Sequence, residues 1–288
     1  MHLTDEPRDA QARLWNGPAG RAWVETQALL DRLFTPFEAM LVDAVSARSP
    51  GRVLDVGCGT GRTTLAVAQQ LGADGCAIGI DISEPMIAAA RARAEREGLP
   101  VRFICADAQA HAFEPASVDL IVSRFGVMFF DDPVQAFANL RHAARNEAEL
   151  RLLAWRSAAE NPFMTTAERA AAPLLPDLPA RRPDGPGQFA FANRDRVQTI
   201  LEKSGWAGIE IEPIDVTCTL PEQDLMPYLT RLGPVGVTLQ GADESTRARV
   251  VETVRAAFEP YVQGRDVRFT AACWTIAARA TSPAAGGR

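Results

Sequence analysis

The sequence predicts an α/β protein: a seven-stranded, mostly parallel sheet with helices on both faces and an α-helical lid. Three observations carry this expectation. From Val53 to Trp155, short apolar runs alternate with segments of helical periodicity, the rhythm of a parallel sheet built from strand–helix–strand units. One of those runs, Val118–Val122, is almost wholly apolar, as a strand covered on both faces must be. At 53–62 the chain reads VLDVGCGTGR: a buried strand, a loop free of bulky side chains, then a helix from about Thr63. Such a loop lets a ligand approach the backbone, and the helix start offers free N–H groups.

The elements follow in order. Residues 1–50 read as a helical cap. A piece at Gln11–Trp15 is broken by Gly17-Pro18-Ala19-Gly20, and helices follow at Ala22–Leu33 and Pro36–Ala47, where Leu29, Leu30, Leu33, Phe37 and Leu41 recur at helical spacing. Ser49-Pro50-Gly51 stops the last of these. The core, 51–156, then alternates strand Val53–Val56, helix Thr63–Leu71, strand Cys76–Ile80, helix Pro85–Glu97, strand Val101–Cys105, strand Val118–Val122, helix Val134–Arg145 and strand Leu150–Trp155. Ser83 and Asp132 stand as N-caps with Pro at or near the first helical position, and Gly98 ends the second core helix. In the turn before the fifth strand, Asn146 can adopt the left-handed conformation that a helix C-cap wants.

After Trp155 the rhythm breaks. Residues 157–192, rich in Pro and Ala, read as a lid insertion: a short helix and an irregular loop. Residues 193–280 supply the last two strands, Ile209–Leu220 and Arg268–Ala278, and a helix at Asn193–Ser204 with Asn193 as its N-cap. Between those strands lies a helical insertion at 222–262. The tail 281–288 is small and polar and is expected to be disordered. Residues 1–35, 156–192 and 222–262 are expected to form the lid together.

Composition excludes several classes. The 288 residues are 47% hydrophobic and 23% charged, ordinary for a globular protein. A net charge of -6 and a pI near 5.3 disfavour nucleic acid as a partner, because phosphate binding needs clustered Lys and Arg. No apolar run approaches a membrane span, so no membrane association is expected. The polar N-terminus does not read as a signal peptide. Five scattered cysteines without a C-x-x-C pair suggest neither a metal site nor a disulfide framework; buried thiols in a reducing cytoplasm are the expectation.

The chemistry lies at the strand ends. A dinucleotide loop is spaced G-x-G-x-x-G, but here the glycines fall at 57, 59 and 61. A pyrophosphate also has no use for the anion Asp55 two residues ahead of them. A carboxylate there suits a ligand that carries a cation. Asp81 ends the second strand, where an acid accepts from a ribose diol. Asp107 follows the third strand, and Ser123-Arg124-Phe125 ends the fourth.

The pattern D-x-G-x-G-x-G, with Asp81, Asp107 and the fourth strand end in order after it, resembles class I S-adenosylmethionine (SAM) dependent methyltransferases over residues 52–155. Within them the chain is similar to the ubiquinone/menaquinone-biosynthesis-like branch acting on small molecules. The resemblance implies a Rossmann-like fold, SAM as cofactor and methyl transfer to a small organic acceptor. It implies SAM contacts from Asp55, Gly57, Cys58, Gly59, Gly61 and Thr63 in the first loop, and from Asp81, Ile82 and Met86 in the second. Asp107, Ala108 and Gln109 would meet adenine, and Ser123 would lie near the sulfonium. Trp15, Arg124, Phe125, Met128, Phe129 and Phe163 are the expected acceptor pocket. Arg124 either meets an anionic group of the acceptor or pairs with a structural acid such as Asp131 or Asp132. His111 is either a base facing the cleft or a solvated loop residue. A SAM-binding protein without catalysis is a second reading; an NAD-linked oxidoreductase is a third, disfavoured by the glycine spacing.

Overall fold

The structure, a computed structural model, describes residues 7–48, 51–181 and 185–281. The expected stop at Ser49-Pro50 and the tail from Ser282 lie outside the described residues. The first five strands are β1 (Arg52–Val56), β2 (Cys76–Asp81), β3 (Arg102–Cys105), β4 (Val118–Arg124) and β5 (Ala144–Trp155). The others are β6 (Ala207–Pro221), the two-residue β7 (Val262–Gln263) and β8 (Asp266–Arg279). The seven long strands lie in the order β3-β2-β1-β4-β5-β8-β6, with β7 paired to β8. Pairing from β3 through to β5 is parallel, and β8 runs antiparallel to both β5 and β6.

Strand order places the site. Crossovers between parallel strands are right-handed. The chain winds one way from β1 to β2 to β3, through α5 (Arg62–Leu71) and α6 (Glu84–Glu97), and the other way from β4 to β5 through α7 (Pro133–Ala143). The reversal puts α7 on the opposite face and opens a crevice between β1 and β4, where ligands of such sheets bind. Leu54, Leu120, Ile121, Val122 and Leu150 are at most 1% exposed, as a sheet covered on both faces requires.

Ahead of the sheet lie α1 (Pro7–Asn16), α2 (Pro18–Glu25), α3 (Gln27–Leu33) and α4 (Thr35–Ser46). The Gly17-Pro18 break is sharper than expected: Pro18 opens α2, and the expected single helix Ala22–Leu33 is divided at Thr26, whose hydroxyl donates back to the Ala22 carbonyl at 2.7 Å. After β5 come α8 (Pro162–Ala171) and α9 (Arg194–Lys203), and between β6 and β7 α10 (Leu225–Arg231), α11 (Gly233–Leu239) and α12 (Glu244–Ala257). The 222–262 insertion holds three α-helices, because Gly233, at φ 68°, turns the chain between α10 and α11. α11 packs on α2 and α8, and α8 packs on α12, so the cap's α2 and the helices α8, α10, α11 and α12 pack together. Arg32 to Asp224 (2.5 Å) and Arg231 to Glu25 (2.5 Å) tie cap to insertion, though exposed pairs of this kind add little stability.

Two local expectations are corrected. The turn before β5 is strand from Ala144 onward, and Glu147 rather than Asn146 takes the left-handed conformation, at φ 65°. Its N–H donates to the Ala280 carbonyl at 2.8 Å, so the segment pairs with the chain beyond β8. Ser83 occupies the N-cap position of α6, but its hydroxyl donates to the Trp15 carbonyl at 2.6 Å. The first N–H of α6, from Glu84, is accepted instead by Asn16 Oδ1 at 2.8 Å, while Asn16 Nδ2 donates to the Ile82 carbonyl at 3.1 Å. The cap therefore completes the helix that follows β2. Asp132 and Asn193 do cap their helices, accepting from Gln135 N (3.0 Å) and Arg196 N (2.9 Å).

Candidate functional site

Register brings the sequence-predicted acids to one edge of the sheet. Asp55 on β1 is opposite Gly79 of β2 and Val122 of β4, and Asp81 on β2 is opposite Cys105 of β3. Across neighbouring strands the order is Asp107 beyond β3, Asp81 at the end of β2, Asp55 on β1 and Arg124 at the end of β4. Three inter-strand steps cover roughly 14 Å.

The glycine loop is held against this edge by its own backbone. The Gly57 and Cys58 N–H groups donate to the Ile80 carbonyl at 2.9 and 3.1 Å. Gly57 sits at φ 67°, and a side chain there would come within 2.6 Å of the Gly126 Cα. Two glycines thus let the β1 and β4 loops touch at the crevice. Gly61 is the left-handed N-cap of α5, and a Cβ on it would meet Ala90 and Phe103 at 2.9 Å. Gly61 therefore serves packing, whereas Gly57 and Gly59 line a cavity.

That cavity is bounded by Asp55, the loop 57–60, Thr63 and Arg124 below, and by Trp23, Leu30, Asp31 and Phe34 of the N-terminal helices above. Its volume is about 30 Å³, room for one or two small groups. Asp55 is 2% exposed and accepts from Thr64 Oγ1 at 2.7 Å. Burial pushes its carboxyl up to about 6, against an ordinary value of 3.8, and the nearby Asp81 charge adds to this; the Thr64 bond and the Arg124 charge pull the other way. Asp81 accepts from Gly59 N at 2.8 Å and Ser83 N at 2.9 Å, and burial raises its carboxyl as well. Thr63 Oγ1 is buried without a hydrogen-bond partner among the described residues.

Arg124 borders this cavity, and Asp132 is occupied capping α7. Its guanidinium donates to the Phe34 carbonyl at 3.5 Å and lies 5.6 Å from the centre of the Phe34 ring. Burial works against its charge, offset by the charges of Asp55, Asp31 and Glu38. Beside it, Phe125 stacks on Trp155 (4.6 Å between centroids, planes 17° apart) and meets Phe34 and Phe37 edge-on at 5.6 and 4.9 Å. Phe125 holds φ 64°, a costly conformation for a bulky side chain and one that clusters at functional sites.

Several expected site residues do other work. Cys58 borders the cavity, but its sulfur is directed at Gly79 and packs with Phe103, and burial raises its thiol well above the ordinary value. Ser123 is fully buried; its hydroxyl donates to the Val56 carbonyl at 2.6 Å and accepts from Gly126 N at 3.2 Å, so it locks β1 to β4. Gln109 accepts from Asp132 N at 2.8 Å, and Asp107 accepts from Gln109 N at 2.9 Å. His111 packs edge-on to Phe113 at 4.7 Å and does not border the cavity. Met86 is 4% exposed beneath Gly59. Met128 is buried, with its sulfur accepting from Trp155 N at 3.4 Å. Phe163 does not border the cavity; it stacks on Phe269 (3.7 Å, 5°) inside a ring of Phe258, Tyr261 and Tyr228, because the apolar face of α8 is buried against α12 and the sheet. Trp15 meets Phe129 edge-on at 5.1 Å and Trp23 at 6.0 Å; neither Trp15 nor Phe129 borders the cavity.

Residues 53–147 match the methyltransferase domain family. The chain is 37% identical over 123 residues to aklanonic acid methyltransferase DauC of Streptomyces sp. strain C5, covering 41% of this chain and 56% of that protein. It is 38% identical over 100 residues to demethylmenaquinone methyltransferase of Thermus thermophilus, covering 34% of this chain and 44% of that protein. The chain thus spans about half the length of these relatives. In fold it is similar to the YcgJ protein of Bacillus subtilis (TM-score 0.56, 18% identity, 85% of this chain and 98% of that one). Sequence match, strand order and glycine loop agree: residues 53–147 match a methyltransferase domain.

Proposed function

We propose that the protein transfers a methyl group from SAM to a small organic acceptor. The observation that carries the reading is the row Asp107, Asp81, Asp55 along one sheet edge, beside a glycine loop that a side chain would obstruct. The donor set fits this cofactor. Asp81 is placed to accept from a ribose diol in exchange for backbone N–H groups it holds at Gly59 and Ser83. Asp55, ionised above about pH 6, suits the ammonium of the methionine end. Gly57 and Gly59 leave the backbone open to close approach. Asp107 and the Ala108 backbone are the candidate adenine contacts.

Volume sets a condition. The cavity of about 30 Å³ between α3 and the glycine loop holds only one or two small groups, so entry of an adenosyl ligand's amino-acid arm requires α3, which supplies Leu30 and Asp31, to give way. The helical layer of 1–35, 156–192 and 222–262 is accordingly the lid.

When bound, SAM supplies a methyl group already activated by its sulfonium. The chain's own task is alignment and exclusion of water. Phe34, Phe125 and Trp155 make one wall apolar, Trp23 and Leu30 close the roof, and Arg124 is a cation beside them. The relatives are named for small organic molecules, which supports an acceptor of that class. Isothermal titration with S-adenosylhomocysteine (SAH) and with NAD tests the reading. Micromolar SAH binding without NAD binding is expected; NAD binding alone would overturn it. Mass spectrometry of ligands that co-purify would name the cofactor directly.

A further inference from the structure

The charges around the cavity do not pair off evenly. Six ionised groups share this region: Asp31, Glu38, Asp55, Arg62, Arg93 and Arg124. Arg62 holds Glu38 at two points, Nε to Oε2 at 2.5 Å and Nη2 to Oε1 at 2.9 Å. Arg93, with a side chain 6% exposed, holds Asp31 at 2.9 Å and donates to the Thr60 carbonyl at 3.4 Å. Asp55 and Arg124 are left. Each feels the other's charge, yet among the described residues they form no ion pair. Asp55 takes a neutral hydroxyl from Thr64, and Arg124 takes a long contact to a carbonyl. A buried guanidinium without a carboxylate partner is costly. Beside these two, bordering the same cavity, is the unpartnered Thr63 hydroxyl.

We propose that Arg124, with the Thr63 hydroxyl, is the receptor for a ligand carboxylate in this cavity, working opposite Asp55 as the receptor for a cation. The planar fork of a guanidinium matches a carboxylate at two points, and a hydroxyl adds a third donor. The two acids of the N-terminal helices whose charges reach Arg124, Asp31 and Glu38, are already committed to arginines. The proposal rests on the SAM reading above. The carboxylate has two sources, the amino-acid end of the cofactor or an acid group on the methyl acceptor, and the two share this chemistry.

Binding measured without turnover separates them. Wild type, Arg124→Met and Arg124→Lys are titrated calorimetrically with SAH and with 5′-methylthioadenosine, which keeps the adenosyl thioether and lacks the amino-acid arm. The SAH-saturated proteins are then titrated with anthraquinone-2-carboxylate as an aromatic acid probe. If the cofactor brings the carboxylate, R124M weakens SAH by about 30-fold or more and leaves methylthioadenosine within threefold. R124K falls between, since it keeps charge but loses the fork. If the acceptor brings it, SAH is unchanged and the aromatic acid loses at least tenfold in affinity. Circular dichroism checks the fold, and R124K carries the test if R124M does not fold. SAH affinity within threefold in both variants overturns the assignment when the aromatic acid also fails to bind, or binds wild type and variants alike. Wild type that binds neither SAH nor methylthioadenosine overturns the SAM reading itself, and the receptor with it.

Discussion

Asp55 gives the sharpest test of how the site handles charge. Its carboxyl stands at about 6 in the folded protein against 3.8 ordinarily, chiefly through burial. A shift of roughly two units corresponds to about 3 kcal/mol. The folded state holds this proton more tightly than the unfolded chain does. The group's contribution to stability is therefore fully present below about pH 4 and is lost as pH rises through 6. At neutral pH the ionised carboxylate burdens the fold, and what it offers in return is a site for a ligand cation. Only the ionised form serves that purpose. From pH 7 to pH 5 its ionised fraction falls from about nine-tenths to about one-tenth, so SAH affinity drops by about tenfold. Asp55→Asn binds SAH about 10- to 100-fold more weakly at pH 7 and loses that pH step. Thr64, Arg124, Asp81 and Cys58 face Asp55 in both proteins, and Asp81, itself raised by burial, titrates in both. The difference between the two profiles thus isolates Asp55. The assay is calorimetric titration of SAH between pH 5 and 8, with methylthioadenosine as the control without an ammonium. The reasoning is refuted if wild-type SAH affinity is flat across this range, or if D55N keeps the same slope. The variant should also unfold at a higher temperature than wild type at pH 7.5, a gain that shrinks toward pH 4.

Three further expectations concern the frame. Gly57→Ala and Gly98→Ala both place a side chain at positive φ (67° and 64°), but only the first meets backbone, at 2.6 Å, while the second meets nothing within 4 Å. G98A, at a left-handed helix end, should cost about 1 kcal/mol, and G57A roughly 2 kcal/mol more together with SAH binding; equal denaturation midpoints would sink the account of the crevice. Asn161, 1% exposed, bonds both backbone groups of Ala272 at 2.9 Å. Asn161→Ala should lower stability by about 2–4 kcal/mol in urea denaturation with SAH affinity within twofold. Asn16→Ala removes the acceptor for the first N–H of α6. A cost of about 1 kcal/mol and faster hydrogen exchange at the start of α6 are expected, and unchanged exchange there would contradict capping by the lid.

The periodic parts of the fold were legible in the sequence. Parallel strands covered on both faces must be apolar, so Val118–Val122 declared itself, and acids at strand ends stand out against such runs. Capping was legible where the partner is local, as at Asp132 and Asn193. It failed at Ser83, whose partner is 68 residues away, because long-range contacts leave no local pattern. The lower half of the cavity was readable from its glycines. The roof was not: Leu30 and Phe34 are spaced as on any core-facing helix, and nothing in the spacing tells a roof from a core. The same ambiguity misled at Phe163, where an aromatic residue in an insertion turned out to be packing. Ser123 and Gln109 sit beside the expected site, yet their polar groups are consumed by backbone, a competition visible only once the chain is folded.

The sheet's last strand in sequence is not its last in space. β8 lies between β5 and β6, and among the described residues β6 has no other partner. During synthesis the fifteen residues of β6 therefore leave the ribosome as an unmated strand and stay so until residues 266–279 follow. An unpaired strand of that length is a template for association with other chains. The stretch between them, the 44 residues 222–265 with α10, α11 and α12, is thus a delay as well as a lid. A chain halted before Asp266 would keep its glycine loop and its acids, yet present an open seam beside β5.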